Sequence, residues 1–235
     1  MIFDPTQLNL VFVVVSLIVI FLTLGSVYLL AYLNYKPWQV RKLSHMILHT
    51  VLAFFPYFLD NLFDLIITIS ITMVLLLVLS LIPQIQFIPK IIEKCTREGD
   101  SNMQMVLNST LTSIAVLLVY VLFLDKPYVF TAAFLSVSLG DGLGEMIGRP
   151  YGKIKYRIFE ERSLEGSIAV FVGTAISIFV ALAVNKMIAI DIWWKIIVIA
   201  LIGTIVEACN YRFMDNVTLP AIIALMIYVL FELPL

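Results

Sequence analysis

The chain has 235 residues, of which 62% are hydrophobic and only 13% are charged. This composition excludes an ordinary soluble domain, in which about a quarter of the residues are charged, and predicts an integral membrane protein. The formal net charge of −1 indicates no class of partner, because in a membrane protein the position of each charge relative to the apolar segments is what matters.

Eight apolar segments are candidates for membrane-spanning helices, since roughly 20 apolar residues are needed to cross about 30 Å of hydrocarbon. In chain order they are residues 8–33, 43–59, 65–82, 106–124, 127–139, 166–183, 192–206 and 217–231. The fifth and seventh carry the weakest signal, because the fifth runs into Asp141 and Lys195 interrupts the start of the seventh. The predicted fold class is all-α, a polytopic integral membrane protein with about eight transmembrane helices, and about seven to nine fit the pattern.

The distribution of cations among the loops predicts an orientation, because cytoplasmic loops carry an excess of Lys and Arg. The odd-numbered loops hold twelve of the 15 cations: Lys36, Arg41, Lys42, Lys90, Lys94, Arg97, Arg149, Lys153, Lys155, Arg157, Arg162 and Arg212. The other side holds Lys126, Lys186 and Lys195. We therefore expect the odd-numbered loops to face the cytoplasm and both termini to lie outside or in a lumen.

The remaining loops predict one break and no additional domain. Pro83 and Pro89 indicate a break after the third span, followed by an interfacial helix or a loop at residues 91–101. Cys95 and Cys209 have neither CxxC nor metal-ligand spacing, which indicates free thiols. Because there is no low-complexity tract and no long linker, the whole chain, residues 1–235, is expected to form a single transmembrane domain.

The polar stretch SLGDGLGEMIGRPYGKIKYR, which follows the fifth span, allows two interpretations. Gly140, Gly144 and Gly148 recur at every fourth residue, a spacing that lets two membrane helices approach closely. The same stretch places Asp141 and Glu145 four residues apart, and so on one helix face. An ionised carboxylate near hydrocarbon costs about 2–3 kcal/mol or more, so such a pair is typical of a site that binds a polar ligand.

The residues that follow favour an anionic ligand. In the stretch from Gly148 to Lys155, Gly148 and Gly152 would allow backbone amides to face a phosphate, and Lys153 and Lys155 would add positive charge. Carboxylates beside cations suit Mg²⁺ bridged to a polyphosphate, because Mg²⁺ is held by one or two carboxylates together with substrate phosphates. The positive-inside rule alone would also place several cations here, so both explanations stand.

The start of the sixth span has the same two explanations. It contains Arg162, Ser163, Glu165, Gly166 and Ser167. Serine and glutamate are typical of a helix start, where they cap the backbone, while hydroxyls and amides at a helix start also form an anion site. No GxxxxGK[ST] sequence occurs in the chain, so a nucleotide would not be held by a P-loop.

Together these motifs resemble the polytopic polyprenol kinase family, which includes dolichol, phytol and farnesol kinases and has phosphatidate cytidylyltransferases as distant relatives. The resemblance rests on Asp141-Gly-Leu-Gly144, Gly148-Arg-Pro-Tyr-Gly152-Lys153-Ile-Lys155 and Ser163-Leu-Glu165-Gly166-Ser167. The chain departs from the family pattern at Gly144, where alanine is usual, and at Arg162, where lysine is usual.

Two flanking segments extend the resemblance over most of the chain. They are Arg41-Lys42-Leu-Ser-His45, which is similar to the family's R-K-x-x-H, and Glu207 with Asp215-Asn216, which is similar to its late E and D-N element. The cation count assigns both segments to the cytoplasmic side without using the family. The sequence therefore predicts that three separate polar clusters meet at one face of the membrane.

The resemblance implies a single transmembrane catalytic domain that transfers the γ-phosphate of CTP to the hydroxyl of a dolichol- or polyprenol-type isoprenoid alcohol. It implies catalytic roles for Asp141, Lys153 and His45, with His45 competing with Asp141 as proton acceptor. It implies a Mg²⁺ site among Asp141, Glu145, Glu207 and Asp215. The nucleotide-binding residues would be Arg41, Lys42, Gly148, Gly152, Lys153, Lys155, Arg162, Ser163, Glu165, Gly166, Ser167 and Asn216.

Other functions remain open on the sequence. A CTP-dependent cytidylyltransferase would release pyrophosphate and make a CDP-lipid, and a diacylglycerol kinase would use a different alcohol. A transporter is the non-enzyme alternative, although the chain has no internal repeat and its polar residues crowd one membrane face. The expected partners are CTP, a lipid acceptor and membrane lipids, without nucleic acid, and homodimerisation is left open. The expected location is the plasma membrane or endoplasmic reticulum, with the site on the cytoplasmic side.

Overall fold

A computed structural model describes residues 9–33, 35–59, 62–81, 102–211 and 214–233. The helices in this part of the chain are α1 Leu10–Tyr32, α2 Pro37–Ala53, α3 Leu62–Leu81, α4 Asn102–Leu122, α5 Pro127–Leu135, α6 Gly142–Tyr151, α7 Leu164–Val184, α8 Ile192–Ala208 and α9 Asp215–Glu232. The predicted helical class is confirmed. One feature is not helical: β1 Lys155–Arg157 and β2 Glu161–Ser163 form a two-stranded hairpin between α6 and α7.

Several predicted features lie outside the described residues. They are the break at Pro83 and Pro89, the interfacial segment at residues 91–101 with Cys95, and the loop cation Arg212. Cys209, which the structure does describe, is a free and exposed thiol, as the spacing predicts.

Three of the described helices are long and apolar enough to cross a membrane. They are Leu10–Leu30, Leu164–Val184 and Asp215–Glu232. Leu62–Thr72 within α3 and Thr110–Leu122 within α4 are shorter apolar stretches. These helices are those of a membrane protein. The count of about eight spans is not confirmed.

The chain divides into two compact units: unit 1 contains Met1–Leu48 and Tyr57–Asn102, and unit 2 contains His49–Pro56 and Met103–Leu235. In unit 1, α1 packs against α3. The side chain of Asn9 caps α1 by accepting a hydrogen bond from the Phe12 N–H at 2.9 Å. The Asn9 N–H donates to the buried Asp64 carboxylate at 3.0 Å, and this bond ties the start of α1 to the first turn of α3.

In unit 2, α7 is the central helix. It packs against α5, α6 and α8, while α9 packs against α5 and α8. The core between these helices is built from large apolar side chains that are completely buried, including Phe134, Ile178, Ile199 and Ile223. Since lipid tails are as apolar as these side chains, close van der Waals packing is what holds the helices together.

The three glycines spaced at every fourth residue lie in the contact with α7. A methyl group added at Gly140 would lie 2.5 Å from the Thr174 hydroxyl, and one added at Gly148 would lie 3.0 Å from the Cα of Gly166. Gly144 faces Val170 in the same contact. The glycine spacing therefore serves close helix packing, which is the first of the two interpretations of the sequence.

The helix that begins at Pro127 does not end at the predicted residue 139 but continues to Tyr151. A π-helical turn, Ser136–Asp141, separates α5 from α6 within it. Such turns are rare and occur frequently at functional sites. Asp141 is the last residue of this turn and is buried among the helices of unit 2.

Candidate active site

The hairpin between α6 and α7 directs two side chains toward the helices. Its strands pair Tyr156 with Arg162, and residues that pair across two strands lie on the same face of a hairpin. The Tyr156 hydroxyl shares a hydrogen bond with the hydroxyl of Ser167 in the first turn of α7. Arg162 lies beside it, with its guanidinium directed toward acidic side chains.

Arg162 is the electrostatic centre of the site. Its Nε lies 3.2 Å from Glu207 Oε1, and its Nη1 lies 3.3 Å from Glu160 Oε2. Partial burial of the guanidinium lowers the pKa of Arg162, but the carboxylates of Glu207, Glu160, Asp141 and Asp215 raise it by more. The pKa of Arg162 therefore lies above its ordinary value, and the positive charge is held firmly in place.

Three of these carboxylates, from Asp141, Glu207 and Asp215, form what we call the carboxylate cluster. Each is buried, with at most 6% of the residue exposed. Asp141 ends the π-helical turn, Glu207 lies in the last turn of α8, and Asp215 begins α9. The fold thus brings Asp141 together with two acids that lie more than 60 positions later in the sequence, beside a buried Asn216.

The backbone amides expected to face a phosphate already bind an acceptor within the chain. The carboxylate of Glu165 accepts a hydrogen bond from the Lys153 N–H at 3.0 Å and lies 3.4 Å from the Ile154 nitrogen. Ser163 caps α7 by accepting from the Gly166 N–H at 3.1 Å. In this structure Glu165, Ser163 and Gly166 therefore build the junction between the hairpin and α7.

The glycines at either end of this junction are tightly packed. Gly148 is buried, and the Ser163 hydroxyl lies 3.3 Å from its carbonyl oxygen. Gly152 closes the last turn of α6 by donating its N–H to the same carbonyl at 3.1 Å. Both glycines are thus needed to bring α6, the hairpin and α7 close together.

Three cations of the hairpin segment are exposed. Lys153, Lys155 and Arg157 all reach solvent, and Lys155 lies 4.0 Å from Glu161. An exposed ion pair at this distance holds a side chain only weakly. These cations are therefore available to an anionic ligand that approaches from outside the helices.

The four residues assigned to a metal do not form one set of ligands. Glu145 lies 3.6 Å from Arg149, one turn along α6, and Glu207 lies beside Arg162. Among the described residues, no group of three or more acidic, histidine or cysteine side chains is arranged to hold a metal ion. Asp141 and Asp215 are buried carboxylates, the type of ligand that Mg²⁺ takes together with phosphates, and their assignment to a metal stays a prediction.

Arg41, Lys42 and His45 lie on α2 in unit 1. Lys42 is buried, with 2% of the residue exposed, whereas Arg41 and His45 are half-buried. Their assignment to the nucleotide and to proton transfer stays a prediction.

The structure also contains residues of the site that the sequence interpretation missed. Glu160 and Tyr156 belong to the hairpin, Asn210 lies in the connection between α8 and α9, and Thr218 lies in the first turn of α9. A signal for Asn210 was present: it lies three residues after Glu207 in a loop between two apolar helices, where an amide is costly to bury.

The fold and site define a class of protein in which a dense group of charges lies at the ends of apolar helices. No protein-family model matches the chain, and no solved structure matches it significantly. The chain is similar to the probable chloroplastic phytol kinase of Zea mays, with 29% identity over 151 residues, or 60% of this chain and 49% of the relative.

Two further relatives carry similar names. Identity is 30% over 150 residues to probable phytol kinase 1 of Oryza sativa subsp. japonica, covering 60% of this chain and 47% of that protein. Identity to probable phytol kinase 2 of Glycine max is 30% over 136 residues, which cover 54% of this chain and 47% of that protein. The chain spans about half the length of these curated relatives.

Proposed function

We propose that this protein is a lipid-alcohol kinase that transfers the γ-phosphate of CTP to the hydroxyl of an isoprenoid alcohol held in the membrane. The observation that carries the proposal is the carboxylate cluster around Arg162, next to the exposed cations of the hairpin. The names of the relatives support an isoprenoid alcohol as the acceptor, with phytol as the first candidate beside the dolichol type.

The chemistry needs little from the protein beyond positioning and charge. An oxygen–phosphorus bond forms between the alcohol and the γ-phosphorus, the bond to the β-phosphate oxygen breaks, and CDP leaves. The alcohol proton passes to a carboxylate of the cluster. Because phosphoryl transfer places charge on the phosphoryl oxygens, the main task of the site is to orient the reactants and neutralise that charge.

We assign the acidic residues to the metal ion and the lysines to the phosphates. Asp141 and Asp215 would hold Mg²⁺, which when bound would offset the negative charge of the phosphates. Lys153 and Lys155 would contact those phosphates from the hairpin. Arg162 orients the carboxylates and keeps their charge compensated, because its own charge persists at any physiological pH.

The membrane explains why such a site lies at helix ends. A long apolar tail can stay among lipids while its hydroxyl reaches the polar boundary, where a soluble nucleotide arrives. Under the positive-inside rule, the cations of the odd-numbered loops favour the cytoplasmic side for this boundary. The relatives are named as chloroplastic, so a plastid membrane is a candidate location beside the plasma membrane and the endoplasmic reticulum.

The test is incubation of the purified chain with Mg²⁺, phytol or dolichol, and CTP labelled at either the γ- or the α-phosphate. Label in the lipid from the γ-position alone, with CDP released, is the expected result. Label from the α-position after a prenyl phosphate or phosphatidate is added would identify a cytidylyltransferase. Label in added diacylglycerol would identify a diacylglycerol kinase, and no label from either position would contradict the proposal.

A single charge change tests the placement of the phosphates. Replacing Lys153 with Gln should raise the KM for the nucleotide about tenfold while the KM for the alcohol stays unchanged, because one phosphate contact is lost. Lys186→Gln, which removes a cation beyond the far end of α7, is the matched control. A rise confined to the alcohol's KM would show that the phosphates lie elsewhere.

A further inference from the structure

Asn210 is a buried amide beside the carboxylate cluster that neither the motifs nor the comparisons assign. It follows α8 directly after Cys209, and its N–H donates to the carbonyl of Glu207 at 3.1 Å. Although it lies in a connection between helices, only 6% of the residue is exposed. An amide so deeply buried needs a partner for each of its polar atoms.

One end of this amide is held by Thr218. The Thr218 hydroxyl lies 2.7 Å from Asn210 Oδ1 and 2.8 Å from the carbonyl of Met214. Asn210 is three residues after Glu207, and Thr218 is three residues after Asp215, so each lies one turn from an acid of the cluster. The hydrogen bond between them joins the two segments that carry those acids.

Among the described residues, the other end of the amide meets no acceptor. Asn210 Nδ2 is buried and has no hydrogen-bond partner in the part of the chain that the structure describes. The single Thr218 hydroxyl can satisfy only one end of the carboxamide, whichever way the amide is turned. A buried donor that stays unsatisfied costs free energy, so its presence beside a charged site indicates a ligand that supplies the acceptor.

The charges around Asn210 decide the chemistry of that ligand. Glu207 lies one turn before Asn210, and Asp215 lies one turn before its hydrogen-bond partner Thr218. The negative charges of these two acids oppose an anion at this point. A neutral hydroxyl fits, because its oxygen can accept from the amide while its proton is donated to a carboxylate. We infer that Asn210 binds a hydroxyl group of a substrate, an inference that rests on the proposed kinase function.

Two substrates of the proposed reaction carry such a hydroxyl: the isoprenoid alcohol and the ribose of the nucleotide. Asn210→Asp separates the roles, because it keeps an acceptor for Thr218 and removes the N–H donor at nearly constant volume. Asn210→Ala removes both. The matched control is Asn185→Ala, since the Asn185 amide already donates to the Ala181 carbonyl at 2.8 Å, at the opposite end of α7.

The experiment measures the KM of phytol at saturating CTP, the KM of CTP at saturating phytol, and the melting temperature of each variant. Both Asn210 variants should raise one KM about tenfold, as expected for one lost hydrogen bond, with melting temperatures equal to that of Asn185→Ala. A change in the phytol KM assigns the hydroxyl to the acceptor. A change in the CTP KM assigns it to the ribose, and wild-type protein should then show the same loss with 2′- or 3′-deoxy-CTP.

Unchanged KM values in both Asn210 variants would overturn the inference, as would a KM change matched by an equal fall in stability. If the wild-type chain shows no phosphoryl transfer, the proposed function fails by itself. Equilibrium binding of labelled phytol and CTP then decides the role of Asn210. A dissociation constant raised about tenfold for one probe in Asn210→Asp supports the inference, and equal constants for both probes overturn it.

Discussion

Helices α5 and α9 carry charged groups at both of their ends, and the two ends of this pair are built differently. At one end, Glu232 accepts hydrogen bonds from both Lys126 and Tyr128, and Lys126 also lies over the ring of Tyr228. One acid, one cation and one hydroxyl there satisfy each other.

At the other end, acids from three separate segments interact electrostatically with Arg162 and raise its pKa. The exposed cations there lie on a hairpin outside the helices. The same pair of helices therefore carries a closed structural contact at Glu232 and a charge-dense site at Asp141. The comparison teaches that a carboxylate at a helix end of a membrane protein is informative through its neighbours. A single acid matched by a cation and a hydroxyl stabilises helix packing, whereas several acids gathered around one cation indicate a ligand.

The largest expected effect is a loss of turnover when an acid is changed at the Asp141 end but not at the Glu232 end. Asp141→Asn should lower turnover by about a hundredfold or more, because the amide cannot carry the charge that the site requires. Glu232→Gln, an equally conservative change at the opposite end, should leave turnover within about twofold. Turnover of labelled phytol by the two purified variants checks this. Near-normal activity of Asp141→Asn would remove that residue from the reaction.

The next effect concerns the close helix contact that supports the site. A methyl group added at Gly173 would lie 2.5 Å from the carbonyl oxygen of Leu139 in the π-helical turn, and backbone cannot move aside easily. Gly173→Ala should therefore lower the free energy of unfolding by about 1–3 kcal/mol. Gly25→Ala is the matched control, because a methyl group there meets nothing within 4 Å. Equal melting temperatures for both variants in detergent would contradict this packing.

A smaller effect is expected from changing the shape of the central cation while keeping its charge. Arg162→Lys should lower kcat/KM about tenfold, since an ammonium cannot contact Glu207 and Glu160 at once with the geometry of a guanidinium. Arg157→Lys, an exposed change on the same hairpin, serves as the control. Full activity of Arg162→Lys would mean that only the charge matters, as in the family pattern with lysine at this position.

The smallest effect is expected at the end that carries Glu232. Lys126→Met should lower the free energy of unfolding by less than about 1 kcal/mol, because both partners of the ion pair are partly exposed. Thermal melting of this variant beside Glu232→Gln and the double variant would give the coupling between the two side chains. A coupling of several kcal/mol would mean that this end, too, is shielded from solvent.

Much of the helical framework can be predicted from the sequence, because long apolar runs such as those of α1 and α7 leave few alternatives in a bilayer. The hairpin could not be predicted in the same way. Its strands, Lys155–Arg157 and Glu161–Ser163, are three residues long and rich in charge, without the apolar alternation that marks a strand. The π-helical turn leaves no signal in composition either.

For the site, the acids could be identified from the sequence but their arrangement could not. Asp141, Glu207 and Asp215 stand out because carboxylates at the ends of apolar runs are costly. That Glu145 instead pairs with Arg149 depends on how the helix turns after residue 141. The binding of Glu165 to the amides of the hairpin segment likewise depends on a fold-back that no local pattern encodes.

Because of the π-helical turn, the direction in which the Asp141 side chain points depends on one additional residue within Ser136–Asp141. Each residue of an α-helix turns the chain by about 100°, so losing one residue from Ser136–Asp141 would let the helix continue as regular α-helix. Everything after the deletion would then be rotated by about that angle relative to α5. Either the α6 glycines would leave their contact with α7, or Asp141 would leave the carboxylate cluster. One additional residue thus lets the same helix satisfy two angular requirements that an uninterrupted α-helix could not meet together.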